Sequence, residues 1–240
     1  MINILIPLAG SNQFFNKAEY PFPKALIEIN GKTMIEHVIN NFTTIEGSKQ
    51  FIFIVNNEDC KKYHLDTVLN LLTDSQCKIV RINGETKGAA CSAVMAIEYI
   101  NNDIPLIIAN GDQILDIDLE EIIKEFSSVD GGIISFDSVH PRWSYVRLDK
   151  EDFIVETAEK RPLSKHAIAG FYFYKRGQDF IESTMKMIKK DANVDGSYYI
   201  APTFNEMVLK NKKLIVKKIE KNDYHTFYTP KKIQEYERLK

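Results

Sequence analysis

Ile2-Asn3-Ile4-Leu5-Ile6-Pro7-Leu8, continued by Ala9-Gly10-Ser11-Asn12-Gln13-Phe14-Phe15 and then by Pro21-Phe22-Pro23-Lys24-Ala25-Leu26, decides how this chain is read. The first run is apolar almost throughout, as a strand buried on both faces must be. The second is a polar loop opened by a glycine. The third returns a lysine on a backbone stiffened by two prolines. A loop of this kind can wrap a nucleoside triphosphate, because backbone N–H groups at the C-terminal edge of a strand supply donors and the lysine supplies positive charge. The competing reading is a surface turn beside a lysine that snorkels over apolar surface.

Outward from this stretch, apolar runs alternate with amphipathic ones. Thr33 to Phe42 puts Met34, Ile35, Val38, Ile39 and Phe42 on one helical face. Gln50 to Val55 is a fully apolar strand, Lys61 to Leu72 a helix with Leu65, Val68, Leu69 and Leu72 inward, and Cys77 to Ile82 an alternating strand nearer an edge. Ala89 to Ile100 reads as one helix, and Pro105 to Ala109 as another buried strand. Strands separated by helices predict an α/β fold with a doubly wound, mostly parallel central sheet, since parallel neighbours need crossovers. Ligands of such sheets sit at the carboxyl ends of the strands, where Ala9-Gly10 and Asn110-Gly111-Asp112 fall.

After a helix from Asp118 to Phe126 the pattern changes. Gly132–Phe136, Ser144–Leu148, Phe153–Thr157 and Ala167–Tyr174 are strands with little helix between them, predicting a mixed or antiparallel extension on the acceptor side. Helices at Phe180–Lys190 and Thr203–Lys210, a strand at Leu214–Ile219 and a helix from Pro230 complete the chain, with no internal repeat or flexible linker. Its 240 residues can bury a full core without disulfides. The formal charge of -2 gives no reason to expect nucleic acid. Three cysteines without metal-ligand spacing favour a reduced, cytoplasmic setting, and the first apolar run is too short for a signal peptide or membrane span.

Four segments carry candidate chemistry. Thr86-Lys87-Gly88-Ala89-Ala90-Cys91-Ser92 sets small residues where a helix begins, which suits close approach of a nucleobase to Gly88 and Ala89 and equally suits helix packing. Asn110-Gly111-Asp112-Gln113 ends a buried strand with a carboxylate able to hold Mg²⁺ against phosphate oxygens; the alternative is an Asp that caps its own turn. Asp116-Ile117-Asp118 spells Asp-x-Asp, but Asp118-Leu119-Glu120-Glu121 reads better as a helix cap. Glu159-Lys160 after a strand, with Gly170 in the next one, could receive acceptor hydroxyls and phosphate, or form an exposed ion pair. Arg142-Trp143 could line the same pocket or pack a loop, and the isolated His225 reads as structural.

Together these residues resemble the nucleotidyltransferases that condense a nucleoside triphosphate with a sugar 1-phosphate or similar phosphomonoester and release pyrophosphate. The resemblance spans almost the whole chain and looks most like the bacterial branch of capsule and surface-polysaccharide pathways, with a nucleotide-diphospho-sugar transferase (GT-A-like) fold. It implies a single domain over 1–240, with a nucleotide-binding half (1–130) and an acceptor-binding half (131–240). It implies Leu8, Ala9, Gly10, Ser11, Asn12, Gln13, Lys24, Gly88, Ala89 and Gly111 on the nucleotide, and Gln113, Trp143, Glu159, Lys160 and Gly170 on the acceptor. Asp112 would hold the metal, Mg²⁺, and Lys24 and Asp112 would be catalytic. Three positions depart from the family pattern: a loop glycine and arginine are replaced by Asn12 and Phe14, and a late acidic residue before Tyr228-Thr229-Pro230 by Thr226.

The expected reaction is Mg²⁺-dependent transfer of a nucleotidyl group, from CTP or UTP by resemblance, to a small phosphorylated acceptor. A glycosyltransferase using a ready-made nucleotide sugar, and a regulatory protein that holds a nucleotide without turnover, remain open, as does assembly into a homo-oligomer.

Overall fold

The computed structural model describes residues 1–10 and 14–239. Ile2–Pro7 lies inside the sheet, hydrogen-bonded in parallel to Lys49–Asn56 on one side and to Leu106–Ala109 on the other. Cys77–Ile82 pairs in parallel with Lys49–Asn56 and ends the sheet. Its charged Lys78 and Arg81 suit an edge, where charge discourages pairing with another chain.

Beyond Leu106–Ala109 the direction reverses. His166–Tyr174 runs antiparallel to it, and then come Tyr145–Leu148 and Ile154–Ala158, also antiparallel. Gly131–Asp137 pairs with His166–Tyr174 and carries Leu214–Lys218 in parallel, giving nine strands among the described residues. The expected α/β architecture, with a parallel centre and a mixed extension, is therefore the one observed.

Helices cover both faces, as the double winding requires. One buried cluster joins Ile35, Val38 and Ile39 of Met34–Asn41 to Phe126 of Leu119–Ser127 across Ile4, Phe53 and Phe171. The opposite cluster packs Ala90, Phe180 and Phe204, from three different helices, on Leu5, Ile52 and Ile108. A third holds the Pro230–Glu237 helix, through Ile233 and Tyr236, to Phe15, Ile27 and Phe227. Helix starts follow local chemistry: Thr33 accepts from the Glu36 N–H, and Asp118 from those of Glu120 and Glu121. Each such cap is worth about 1 kcal/mol.

Two elements differ from the pattern read in the sequence. The helix expected from Lys61 is two, Asn57–Tyr63 and Leu65–Leu72, because His64 adopts a left-handed conformation (φ 54°) whose N–H caps the Cys60 carbonyl. The helix expected over Ala89–Ile100 is likewise two, Ala89–Val94 and Ile97–Ile100, with the break at Met95-Ala96. Apolar spacing survives both breaks, so periodicity could not detect them. A further two-stranded ribbon, Gln113–Leu115 with Tyr224–Thr226, bears directly on the site.

Candidate active site

The strands Ile2–Pro7 and Leu106–Ala109 run parallel and end at the same edge, so the segments that follow them meet. Leu8, Ala9, Gly10, Asn110, Gly111 and Asp112 line a cavity of about 360 Å³. Lys24 enters it from the first turn of a short 3-10 helix, Lys24–Leu26, which Pro23 precedes. Its ammonium lies 2.6 Å from the Asp112 carboxylate, and both side chains are only partly exposed, at 26% and 21%. Each of these groups thus satisfies the other. Gly88 and Ala89 form the facing wall. At Gly111 a Cβ would come within 2.3 Å of the tip of the Leu8 side chain, which would have to move to admit it.

Gly88 is required for a reason other than the ligand approach read in its motif. At φ 103° a Cβ would lie 2.5 Å from the Tyr198 carbonyl oxygen. The Lys87 carbonyl accepts from the Tyr198 N–H, and the Tyr198 carbonyl accepts from the Ala90 N–H. Its small size therefore seats one backbone against another, while the residue still lines the cavity.

A second cavity of about 230 Å³ adjoins the first and shares Ala89, Asn110 and Ile200 with it. Trp143, Glu159 and Gly170 line it as expected, with Arg142, Ser144 and the rings of Tyr172, Tyr199 and Tyr224. The Ser144 hydroxyl donates to the Glu159 carboxylate. Burial pushes that carboxyl above its ordinary range, partly offset by the Ser144 bond and the charge of Lys160. Gly170 sits where the His166–Tyr174 strand slips register, at φ 59°, and a Cβ there would meet Asn110 at 2.2 Å.

Two of the expected acceptor residues stand elsewhere. Gln113 is 4% exposed. Its amide donates to the Gly170 carbonyl at 3.0 Å and its oxygen accepts from the Tyr224 hydroxyl at 3.3 Å. Burial has turned it into a brace behind both cavities, since a buried amide must find internal partners. Lys160 also lies off the cavity lining, with its ammonium 3.4 Å from Asp195 and 5.2 Å from the centre of the Tyr199 ring. Ser11, Asn12 and Gln13 lie outside the described residues. Thr226 pairs opposite Gln113, and the Phe227 N–H donates to the Asp112 carbonyl, so the position of the family's late acid is beside Asp112. Asp223 is at the other end of the ribbon, accepting from the Asp116 N–H. His225 is structural as read, 3.1 Å from Asp116 and packed on Tyr236.

A family profile described as nucleotidyl transferase matches residues 20–222. This chain is a member of the nucleotidyl transferase family. Within it, the chain is 26% identical over 186 residues to the bifunctional protein GlmU of Methanocaldococcus jannaschii, covering 76% of this chain and 42% of that protein. It is 28% identical over 127 residues to GlmU of Buchnera aphidicola subsp. Schizaphis graminum, covering 53% of this chain and 25% of that one. The chain thus spans less than half the length of either relative. Among solved structures, a nucleoside-diphosphate-sugar pyrophosphorylase of Vibrio cholerae RC9 superposes with a TM-score of 0.86 at 25% identity, covering 98% of this chain and 99% of the other. The family therefore accounts for a sheet built to this plan.

Tyr172, Tyr199, Tyr224, Ser144 and Asn110 escaped the sequence reading. Asn110 stood inside a quoted motif, immediately before Gly111-Asp112, and could have been found there. The three tyrosines carry no local signal, because they come together only through strand pairing and chain return.

Proposed function

We propose that this chain transfers a nucleotidyl group from a nucleoside triphosphate to the phosphate of a small acceptor, a sugar 1-phosphate first, with release of pyrophosphate. The observation that carries this reading is the Lys24–Asp112 pair in a backbone-lined cavity that opens through Ala89, Asn110 and Ile200 into a second, aromatic one. In this reading the triphosphate occupies the first cavity and the acceptor the second, and the chain divides into a nucleotide half (1–130) and an acceptor half (131–240). The catalytic residues are Lys24 and Asp112.

A phosphate monoester is already ionised at neutral pH, so the attack on the α-phosphorus needs no general base. Lys24 leaves Asp112 to neutralise the triphosphate and the charge that gathers on the departing pyrophosphate. Glu159 receives acceptor hydroxyls, and the rings around it exclude water. Among the described residues no group of three or more His, Cys, Asp or Glu side chains could hold a metal by itself. One carboxylate at the cavity, completed by phosphate oxygens and water, nevertheless fits Mg²⁺, which rarely takes an all-protein cage. Bound there through Asp112, the ion would supply charge neutralisation at the phosphates.

The bases tried first are cytosine and uracil, and the pathway is capsule or surface polysaccharide synthesis; both follow from the resemblance. A cytoplasmic location accords with the free state of Cys60, Cys77 and Cys91. The test is pyrophosphate release from each of the four triphosphates against sugar 1-phosphates, amino-sugar phosphates and other phosphorylated metabolites, with and without Mg²⁺. Release that requires both an acceptor and Mg²⁺ is the expected result. Sugar transfer from a nucleotide sugar without pyrophosphate would overturn the reading in favour of a glycosyltransferase. Release that ignores Mg²⁺ would remove the metal role of Asp112.

A further inference from the structure

Arg142, read in the sequence as lining the acceptor pocket or packing a loop, stands among rings. Its guanidinium carbon is 4.2 Å from the centre of the Trp143 ring and 4.5 Å from that of Tyr228. One of its N–H groups donates to the Tyr228 hydroxyl. Tyr228 in turn meets the edge of Phe14 at 6.2 Å. Trp143 is fixed from behind by Phe136 at 5.2 Å and Tyr224 at 5.9 Å. The guanidinium is thus held in place by rings rather than by charge.

Its electrostatic state is unlike that of its neighbours. Arg81, Arg147, Arg161 and Arg176 each bridge a carboxylate. Among the described residues no ion pair includes Arg142, although Glu159 lines the same cavity and is engaged instead by Ser144. A guanidinium crowded by rings keeps its charge, and it bonds oxyanions through its edge, in its own plane and two at a time. Arg142 borders the acceptor-side cavity and also an adjoining groove of about 510 Å³ under the Pro230–Glu237 helix.

We propose that Arg142 is the acceptor-reading cation of this site, binding an oxyanion of the acceptor, its phosphate or a carboxylate, in the aromatic cavity. The proposal rests on the reading of that cavity as the acceptor's. Phe14 and Tyr228 serve as the support of its guanidinium. Specificity for an anionic acceptor then depends on an arginine that touches neither the nucleotide nor the Lys24–Asp112 pair.

Trp143 is the sole tryptophan of the sequence, so its emission reports on this cavity whether or not turnover occurs. Inorganic phosphate, glucose 1-phosphate, glucuronic acid 1-phosphate and uncharged glucose are titrated into the full chain by fluorescence, with calorimetry as the second measure. The anionic sugars are expected to saturate, to bind at least about tenfold more weakly to Arg142→Gln, and to recover part of that loss in Arg142→Lys, which keeps charge but not the fork. Equal weakening for both sugar phosphates assigns the phosphate as the ligand; weakening confined to the glucuronate assigns the carboxylate. Unchanged affinities in Arg142→Gln, no saturation by any anion, or equal binding of glucose would overturn the proposal. In the pyrophosphate assay the variant should raise the acceptor KM about tenfold and leave the triphosphate KM within about twofold; the reverse pattern would also overturn it. A parent protein that releases no pyrophosphate would defeat the proposed reaction, while the fluorescence titration would still decide the role of Arg142.

Discussion

The two cavities that meet at Ala89, Asn110 and Ile200 are made of different material. The first is walled by backbone turns and small residues, Ala9, Gly10, Gly88, Ala89 and Gly111, with one ion pair set among them. The second is walled by rings, a half-buried carboxyl and an arginine, contributed by segments from Arg142 to Tyr224. A backbone-lined wall offers N–H groups at fixed positions and changes little when side chains change. A side-chain wall can be respecified one residue at a time.

The hardest test of this division is Lys24→Ala. Turnover should fall by a factor on the order of 10² to 10³, because a preorganised charge at the developing anion is lost. Thermal unfolding should move little, since a partly exposed ion pair contributes only about 1 kcal/mol or less. Near-normal pyrophosphate release would show that the first cavity is not where charge is handled.

A smaller effect is expected of Gly170→Ala, which forces a Cβ toward Asn110 and Gln113 at a left-handed position. It should cost about 1–3 kcal/mol in urea unfolding and weaken acceptor binding more than triphosphate binding. An unchanged midpoint would mean that the strand slip tolerates a side chain.

Tyr224→Phe removes the hydroxyl that donates to Gln113. The expected loss is about 1 kcal/mol, with triphosphate affinity unaltered. A change in triphosphate affinity would blur the boundary between the cavities.

The mildest test uses pH. Burial raises the Glu159 carboxyl, so the folded protein holds that proton more tightly than the unfolded chain does. Its favourable contribution is complete below the ordinary glutamate value of 4.5 and is lost as pH rises through the raised one. Glu159→Gln should therefore show a flatter stability profile between those two values, read by urea unfolding from pH 4 to 8, together with weaker acceptor binding. An identical profile in both proteins would place the carboxyl in a more solvated setting.

The same contrast explains how much could be read from the sequence. Ile2–Pro7 and Leu106–Ala109 announce themselves by unbroken apolar runs, and the glycines and carboxylate that follow lie next to them in the chain. Knowing the topology was enough to bring Lys24 and Asp112 together. Tyr172, Tyr199 and Tyr224 are ordinary aromatic residues until the antiparallel extension and the Tyr224–Thr226 return place them around Glu159. Gln113 was placed on the acceptor by resemblance alone, and no local pattern announces the pairing with Thr226 that carries it inward. The helix breaks at His64 and Ala96 were hidden because a change in one residue's dihedral angles leaves the apolar spacing intact.

The Lys24–Asp112 pair also bears on which visitors the site admits. Each ion must give up the other before it can take a ligand, and Glu85 adds a further carboxylate to the same wall. A stray phosphate must detach the lysine and then face a bare carboxylate; a stray cation must displace the lysine and then meet an ammonium. Only a visitor carrying both signs of charge can satisfy the two groups at once, so discrimination begins before any base or sugar is read.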